Sequence, residues 1–255
     1  KEPAFIPFIT AGDPSLEVTR KLILELERCG ADIIELGVPF SDPIADGPVI
    51  QASYHRVLTK GLKLTDVFRF VKDLRRETDI PIVSMVSYSI VFKTGAEKFV
   101  ISAKEAGFDG ATIPDLPVEE SETVIRATQG KDFRIVCFVA PTTTPDRMAQ
   151  IVKSTQGFLY YMSVVGITGA RSNIPKDMEE NIKKLKQMTD KPVALGFGIS
   201  TPEQARAVGS VADGVIVGSA LIKEVERNIY KSPPEIIKAV GQLAERLSAG
   251  AKGKN

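Results

Sequence analysis

The stretch Asp32–Gln51, DIIELGVPFSDPIADGPVIQ, has the order of one unit of a parallel β/α fold. A short apolar run, Ile33–Ile34, leads directly into Glu35, and a loop rich in glycine and proline follows. That loop carries two further acids, Asp42 and Asp46, before an apolar helical pattern resumes. A strand that ends on an acid and a polar loop is a position where an enzyme can hold a proton-transferring group.

The same order of strand and helix recurs along the chain. Eight short apolar segments, most of them rich in β-branched residues, alternate with segments of helical periodicity. Strands without polar alternation are typical of a parallel sheet that is covered on both faces. The predicted strands are Ala4–Thr10, Ile33–Leu36, Ile82–Val86, Ala111–Ile113, Arg134–Val139, Phe158–Met162, Val193–Leu195 and Val215–Val217.

Two architectures share this alternation, an open doubly wound sheet and a closed (β/α)8 barrel. The doubly wound sheet usually has fewer strands and a GxGxxG fingerprint after the first of them, which the loop Thr10–Asp13 lacks. No polar linker divides the sequence. We therefore predict an α/β fold, a single (β/α)8 TIM barrel over residues 1–255, with a last helix over Pro234–Leu247 and a frayed tail at about 248–255.

Composition argues against several classes of partner. The formal net charge of +1 offers no basic excess for nucleic acid or a membrane surface, and no apolar run approaches the ~20 residues that span a bilayer. Cys29 and Cys137 fit no metal spacing and are interpreted as reduced core thiols of a cytoplasmic protein. The single histidine, His55, argues against a histidine-based mechanism or a histidine-rich metal site.

Chemistry in such a barrel lies at the carboxyl ends of the strands. The last two strands end on Gly196–Gly198 and on Gly218–Ser219, each followed by the start of a helix. Free amides at a helix start attract phosphate, although glycines there can also be simple turn formers. At the second strand, Glu35 is either a buried acid–base group or a salt-bridged structural residue, and Asp46 nearby favours the first interpretation.

Five strings of residues resemble the tryptophan synthase α subunit family, in order along essentially the whole chain. They are PFITAGDP (7–14), ELGVPFSDPIADGPVIQ (35–51), PDLPVEE (114–120), GITGA (166–170) and GFGIS (196–200). The resemblance implies a lyase that cleaves indole-3-glycerol phosphate to indole and glyceraldehyde 3-phosphate, without a metal or cofactor of its own. It also implies an α2β2 heterotetramer with a β subunit that holds pyridoxal phosphate and consumes the indole.

The resemblance assigns roles to individual residues. Asp46 would accept a hydrogen bond from the indole N–H, and Glu35 would move protons to ring carbon C3 and from the glycerol hydroxyl. The other substrate-binding residues that it implies are Phe8 and Tyr160 for the indole, Thr168 on a closing loop, and Gly169, Gly198, Gly218 and Ser219 for the phosphate. Gly196, at the glycine-containing end of the seventh strand, is a further substrate-binding candidate. Pro39, Asp42 and Pro43 would face the β subunit.

One segment departs from the family. Ser87-Tyr88-Ser89-Ile90 stands where the family usually has a Tyr-Tyr-Asn-Pro type of sequence, so the contact with the β subunit is expected to differ there. Two other functions share most of these features: a non-catalytic activator of a pyridoxal-phosphate enzyme, and an isomerase or epimerase of another sugar phosphate. The pair Glu35 and Asp46 argues against activation as the sole role.

Overall fold

The computed structural model describes residues 2–44, 46–162, 174–196 and 198–254. Within them, eight parallel strands close into a barrel in chain order, because β1 pairs with both β2 and β8. This confirms the predicted (β/α)8 barrel. The strands are β1 Ala4–Thr10, β2 Ile34–Gly37, β3 Ile82–Met85, β4 Gly110–Thr112, β5 Arg134–Val139, β6 Leu159–Met162, β7 Val193–Gly196 and β8 Gly214–Val217.

Helices surround the barrel and cover its outer face. Two of them begin at side-chain caps that suit their sequences: Ser15 accepts a hydrogen bond from the amide of Val18, and Thr201 forms a capping box with Gln204. The helices are α1 Leu16–Arg28, α2 Pro48–Leu58, α3 Leu64–Leu74, α4 Tyr88–Thr94, α5 Ala96–Ala106, α6 Ser121–Ala127, α7 Pro145–Ser154, α8 Lys176–Met188, α9 Pro202–Gly209, α10 Ser219–Arg227 and α11 Pro233–Ala251. No helix among the described residues combines the length and the apolar character needed to cross a membrane.

The strand register decides which side chains point into the barrel. Phe8 lies beside Glu35, Met85 beside Thr112, and Phe138 beside Tyr160. Since neighbouring residues in a parallel ladder share a face, the two side chains of each pair point to the same face of the sheet. Glu35 is only 2% exposed, so a buried carboxyl group lies beside the apolar side chain of Phe8.

Two local predictions differ from the structure. Helix α4 was not predicted; it begins after Ser87, whose hydroxyl accepts a hydrogen bond from the amide of Ser89. The frayed tail was placed too early, since α11 continues to Ala251. Ser248 and Ala251 are buried, because the small residues at the end of α11 pack closely against α9 and the end of α1.

Candidate active site

A cavity of about 230 Å³ opens at the carboxyl ends of the strands. An engineered cavity of roughly 150 Å³ holds benzene, so this one has room for a larger planar ring. The described residues that line it include two acids, several apolar side chains and the glycine-rich ends of β7 and β8. They are Phe8, Glu35, Asp46, Gly47, Ile50, Met85, Pro114, Phe138, Tyr160, Met162, Gly196, Gly198, Ile199, Ser200, Ile216, Gly218, Ser219, Ala220 and Lys223.

Glu35 is the buried acid of this cavity. Its Oε1 accepts a hydrogen bond of 2.7 Å from the hydroxyl of Thr112, whereas Oε2 is buried without a hydrogen-bond partner among the described residues. Burial raises the pKa of Glu35 to about 7; the Thr112 hydrogen bond opposes that rise and the charge of Asp46 adds to it. A carboxyl group with a pKa near 7 can both donate and accept a proton at neutral pH.

Asp46 lies in the loop between β2 and α2. Its backbone is held by two hydrogen bonds, from its amide to the carbonyl of Pro43 and from the side chain of Gln51 to its own carbonyl. Burial, followed by the charge of Asp115, raises the pKa of Asp46 to about 7. The loop therefore holds a second carboxyl group at the rim of the cavity that contains Glu35.

Aromatic rings form one wall of the cavity. The rings of Phe138 and Tyr160 lie 4.4 Å apart between centroids and are tilted by 31°. Burial, together with the charges of Glu35 and Asp46, raises the pKa of Tyr160 well above its ordinary value, so its hydroxyl stays protonated. A Cβ atom at Gly196 would stand 2.6 Å from that hydroxyl, which explains a glycine at this strand end independently of any phosphate.

A helix start that lines the cavity suits an anion. Gly218 and Ser219 lie at the start of α10, where backbone amides lack partners within the helix and the helix dipole is positive. Lys223 lies one helical turn later and also lines the cavity. Gly198 has a positive φ of 65°, a conformation that glycine adopts without strain.

Most of the predicted residues lie together in this cavity. Phe8, Tyr160, Gly196, Gly198, Gly218 and Ser219 line it with the two acids. Thr168 and Gly169 lie outside the described residues. Among the three predicted partner contacts, Asp42 is exposed and Pro43 is half-buried, but Pro39 is buried and adds no surface there.

Sequence reasoning missed four residues of the site. Thr112 and Phe138 belong to strands whose inward direction depends on register. Tyr54 is buried on α2, and its pKa rises through burial and the charges of the two acids. Lys223 had a usable signal, because it stands four residues after Ser219 and therefore on the same helical face. No group of three or more potential metal-ligating side chains exists in the described part of the chain.

The raised pKa of Glu35 predicts a dependence of stability on pH. Its pKa is about 7 in the fold against 4.5 ordinarily, so the unfolded chain binds fewer protons between these values and stability falls as pH rises. Glutamine at position 35 does not titrate. We expect Glu35→Gln to raise the free energy of unfolding by on the order of 3 kcal/mol at pH 8 and by little at pH 4. Urea unfolding at both pH values measures this, and equal effects at the two would contradict it.

The comparisons with known proteins agree with this geometry. The sequence matches the family model described as tryptophan synthase alpha chain over residues 1–251. It is 45% identical to the tryptophan synthase alpha chain of Thermoanaerobacter sp. (strain X514), over 96% of this chain and 94% of that protein. It is 44% identical to the corresponding protein of Synechocystis sp. (strain ATCC 27184 / PCC 6803 / Kazusa), over 96% and 92%.

Solved structures give the same result. The subunit alpha of tryptophan synthase from Legionella pneumophila superposes with a TM-score of 0.89 at 35% identity, covering 98% of this chain and 93% of that one. A chain from a study of mutual activation in the tryptophan synthase a2b2 complex of Pyrococcus furiosus superposes with a TM-score of 0.87 at 38% identity. The latter comparison covers 95% of this chain and 98% of that one.

Proposed function

The chain belongs to the tryptophan synthase alpha chain family, the lyases that cleave indole-3-glycerol phosphate, and we propose how its own residues carry out that reaction. One observation carries the proposal: two carboxyl groups, Glu35 and Asp46, line one cavity and both have a pKa of about 7. Glu35 is the acid and base, and Asp46 stabilises positive charge on the indole.

Glu35 moves one proton in each direction during a turnover. Its protonated carboxyl group first protonates C3 of the indole ring, which leaves positive charge on the ring nitrogen. The resulting carboxylate then removes the proton of the glycerol hydroxyl adjacent to C3. The bond between C3 and the carbon that bears this hydroxyl then breaks, and its electron pair returns to the ring. Indole and glyceraldehyde 3-phosphate form, and Glu35 carries a proton again.

Asp46 acts on the charge that develops between these two steps. A carboxylate that accepts a hydrogen bond from the indole N–H interacts more strongly once the ring has been protonated. Its contribution is therefore larger in the transition state than in the bound substrate, which is the condition for raising kcat. Partial burial strengthens this interaction relative to water.

The remainder of the cavity binds the two ends of the substrate. The indole packs against Phe8 and the rings of Phe138 and Tyr160, and the phosphate binds the amides at Gly218 and Ser219 with Lys223 beside it. An isomerase or epimerase of a small sugar phosphate would need the phosphate site but would gain nothing from the aromatic wall. Indole formation from indole-3-glycerol phosphate by the purified chain separates the two functions.

A β subunit that holds pyridoxal phosphate is the proposed partner, in an α2β2 assembly. The structural relative from Pyrococcus furiosus comes from a study of an a2b2 complex. Two large apolar side chains are exposed on the loops and helices that follow β2 and β3, Ile44 at 87% and Phe92 at 74%. Asp42 and Pro43 adjoin Ile44, so we assign the contact to this surface. We assign the reaction to the cytoplasm, since both described cysteines are unpaired thiols.

The exposed ring of Phe92 gives a direct test of that surface. We expect Phe92→Asp to weaken binding to a β subunit by at least about 10-fold, because an aspartate must lose water in an apolar contact. Calorimetric titration of the two subunits measures the change. Cleavage of indole-3-glycerol phosphate by the chain alone is expected to stay unchanged.

The matched control is Tyr230→Asp. Tyr230 is fully exposed, but it follows α10 and therefore lies at the opposite end of the barrel. Its replacement is expected to leave subunit binding intact. Equal losses of subunit binding for Phe92→Asp and Tyr230→Asp, or no loss for Phe92→Asp, would contradict the assigned surface. The roles proposed for Glu35 and Asp46 do not depend on this result.

A further inference from the structure

One hydrogen bond crosses the inside of the barrel. Thr112 ends β4 and is fully buried, and its hydroxyl lies 2.7 Å from Oε1 of Glu35 on β2. The bond passes beside β3, which separates the two strands, and it joins residues 77 positions apart in the chain. Thr112 therefore contacts the acid of the site without lining the cavity itself.

The direction of this hydrogen bond follows from what surrounds it. A buried hydroxyl that donates to nothing costs free energy, and Thr112 has no other hydrogen-bond acceptor within the described residues. Its proton therefore points at Oε1 of Glu35, whether Glu35 is charged or neutral. Oε1 cannot hold the carboxyl proton at the same time, since two hydrogens would then face each other along one contact.

The other carboxyl oxygen has the complementary environment. Oε2 of Glu35 is buried and has no hydrogen-bond partner among the described side chains and backbone groups. Glu35 itself lines the cavity. An oxygen in this environment gains most by holding the proton or by meeting a donor on a bound molecule.

We propose that Thr112 is a positioning residue that directs proton exchange to Oε2 of Glu35, by occupying Oε1 with its own hydroxyl hydrogen. This inference rests on the proposed role of Glu35 as the proton-transferring group. It adds that one of the two carboxyl oxygens delivers the proton to the indole ring and takes the proton of the glycerol hydroxyl. A glutamate held at one oxygen also keeps its side chain in one orientation, so the reacting oxygen stays where the substrate needs it.

The electrostatics of the site agree with the geometry. The Thr112 hydroxyl stabilises the charged carboxylate and so holds the pKa of Glu35 below the value that burial alone would give. Without the hydroxyl, the neutral form of Glu35 would persist to higher pH. A higher pKa makes Glu35 a weaker acid, so the transfer of its proton to C3 of the indole would become less favourable.

Two substitutions separate this role from simple packing. Thr112→Val keeps the shape and removes the hydroxyl, and Thr112→Ser keeps the hydroxyl. For Thr112→Val we expect kcat for indole formation to fall about 10-fold, KM to change less than about 2-fold, and the pKa of Glu35 to rise by about one pH unit. Thr112→Ser is expected to restore both kcat and the pKa to near the wild-type values.

The pKa is measured independently of activity. Carbon-13 NMR of the chain with labelled glutamate carboxyl groups gives the titration of Glu35, which is identified by the signal lost in Glu35→Gln. Thr78→Val is the matched control, because Thr78 donates an equally short hydrogen bond of 2.6 Å to Glu27 where α1 and α3 end, away from the cavity. It is expected to change neither kcat nor the Glu35 titration.

The outcomes distinguish the inference from the function on which it rests. An active Glu35→Gln variant would rule out the proposed role of Glu35, whatever the Thr112 variants show. An inactive Glu35→Gln variant together with a Thr112→Val variant of wild-type kcat and pKa would overturn the role of Thr112 alone. A loss in Thr112→Val that serine does not restore, or that comes without a rise in the Glu35 pKa, would mean that position 112 acts only through packing and would overturn it as well.

Discussion

Replacement of Glu35 by glutamine is expected to lower kcat for indole formation by about 10³-fold, within the ~10²–10⁴-fold range of general acid–base groups. Glutamine has nearly the same shape and its carbonyl oxygen can still accept the Thr112 hydrogen bond. It cannot give a proton to C3 of the indole or take one from the glycerol hydroxyl. The loss should therefore appear in kcat, with KM within a few-fold of the wild-type value. Steady-state formation of indole from indole-3-glycerol phosphate measures both constants.

A second glutamate provides the control. Glu27 also accepts a hydrogen bond from a threonine hydroxyl, but it lies near the end of α1 rather than in the cavity. Glu27→Gln is expected to leave kcat unchanged. The assays are carried out both with and without a β subunit, because a chain that serves only as an activator would show no cleavage under either condition. Undiminished turnover by Glu35→Gln in a correctly folded protein would rule out Glu35 as the proton-transferring group.

The barrel could be predicted from the sequence because its signal is local and repeated. Apolar β-branched runs and helical periodicity each depend on neighbours within a few residues. The end of α11 was harder, because small polar residues at a terminus resemble a frayed tail. Ser248 is nevertheless buried, and its hydroxyl reaches the carbonyl of Gly30 at the end of α1. That contact joins positions 218 residues apart, which no local pattern reveals.

The residues of the site also differ in whether a local pattern could reveal them. Alternation left open whether Glu35 faced the barrel interior or the helices, and the structure resolves this, because Glu35 lines the cavity at the mouth of the closed barrel together with Phe8. Thr112 could not be found, since a threonine in an apolar strand looks the same whether or not it meets an acid. Gly196 was assigned to phosphate from its strand-end position, whereas the structure gives it a further reason in the hydroxyl of Tyr160.

Replacement of Asp46 by asparagine is expected to lower kcat by about 10²-fold, comparable to the loss of one group that stabilises transition-state charge in other enzymes. The amide oxygen of asparagine can still accept a hydrogen bond from the indole N–H, so substrate binding should change little. What disappears is the negative charge that interacts with the protonated ring. The loss should again appear mainly in kcat rather than in KM.

The pH dependence adds a second, independent readout for Asp46→Asn. The charge of Asp46 raises the pKa of Glu35, so its removal should lower that pKa and move the Glu35 limb of the kcat profile to lower pH. This direction is opposite to the one expected for Thr112→Val, which makes the two effects separable in one series. Asp42→Asn, an exposed residue of the same loop, is the control and should alter neither kcat nor the profile of the chain alone. A rise in KM with unchanged kcat in Asp46→Asn would show that Asp46 only binds the indole, because uniform binding leaves the chemical step unaffected.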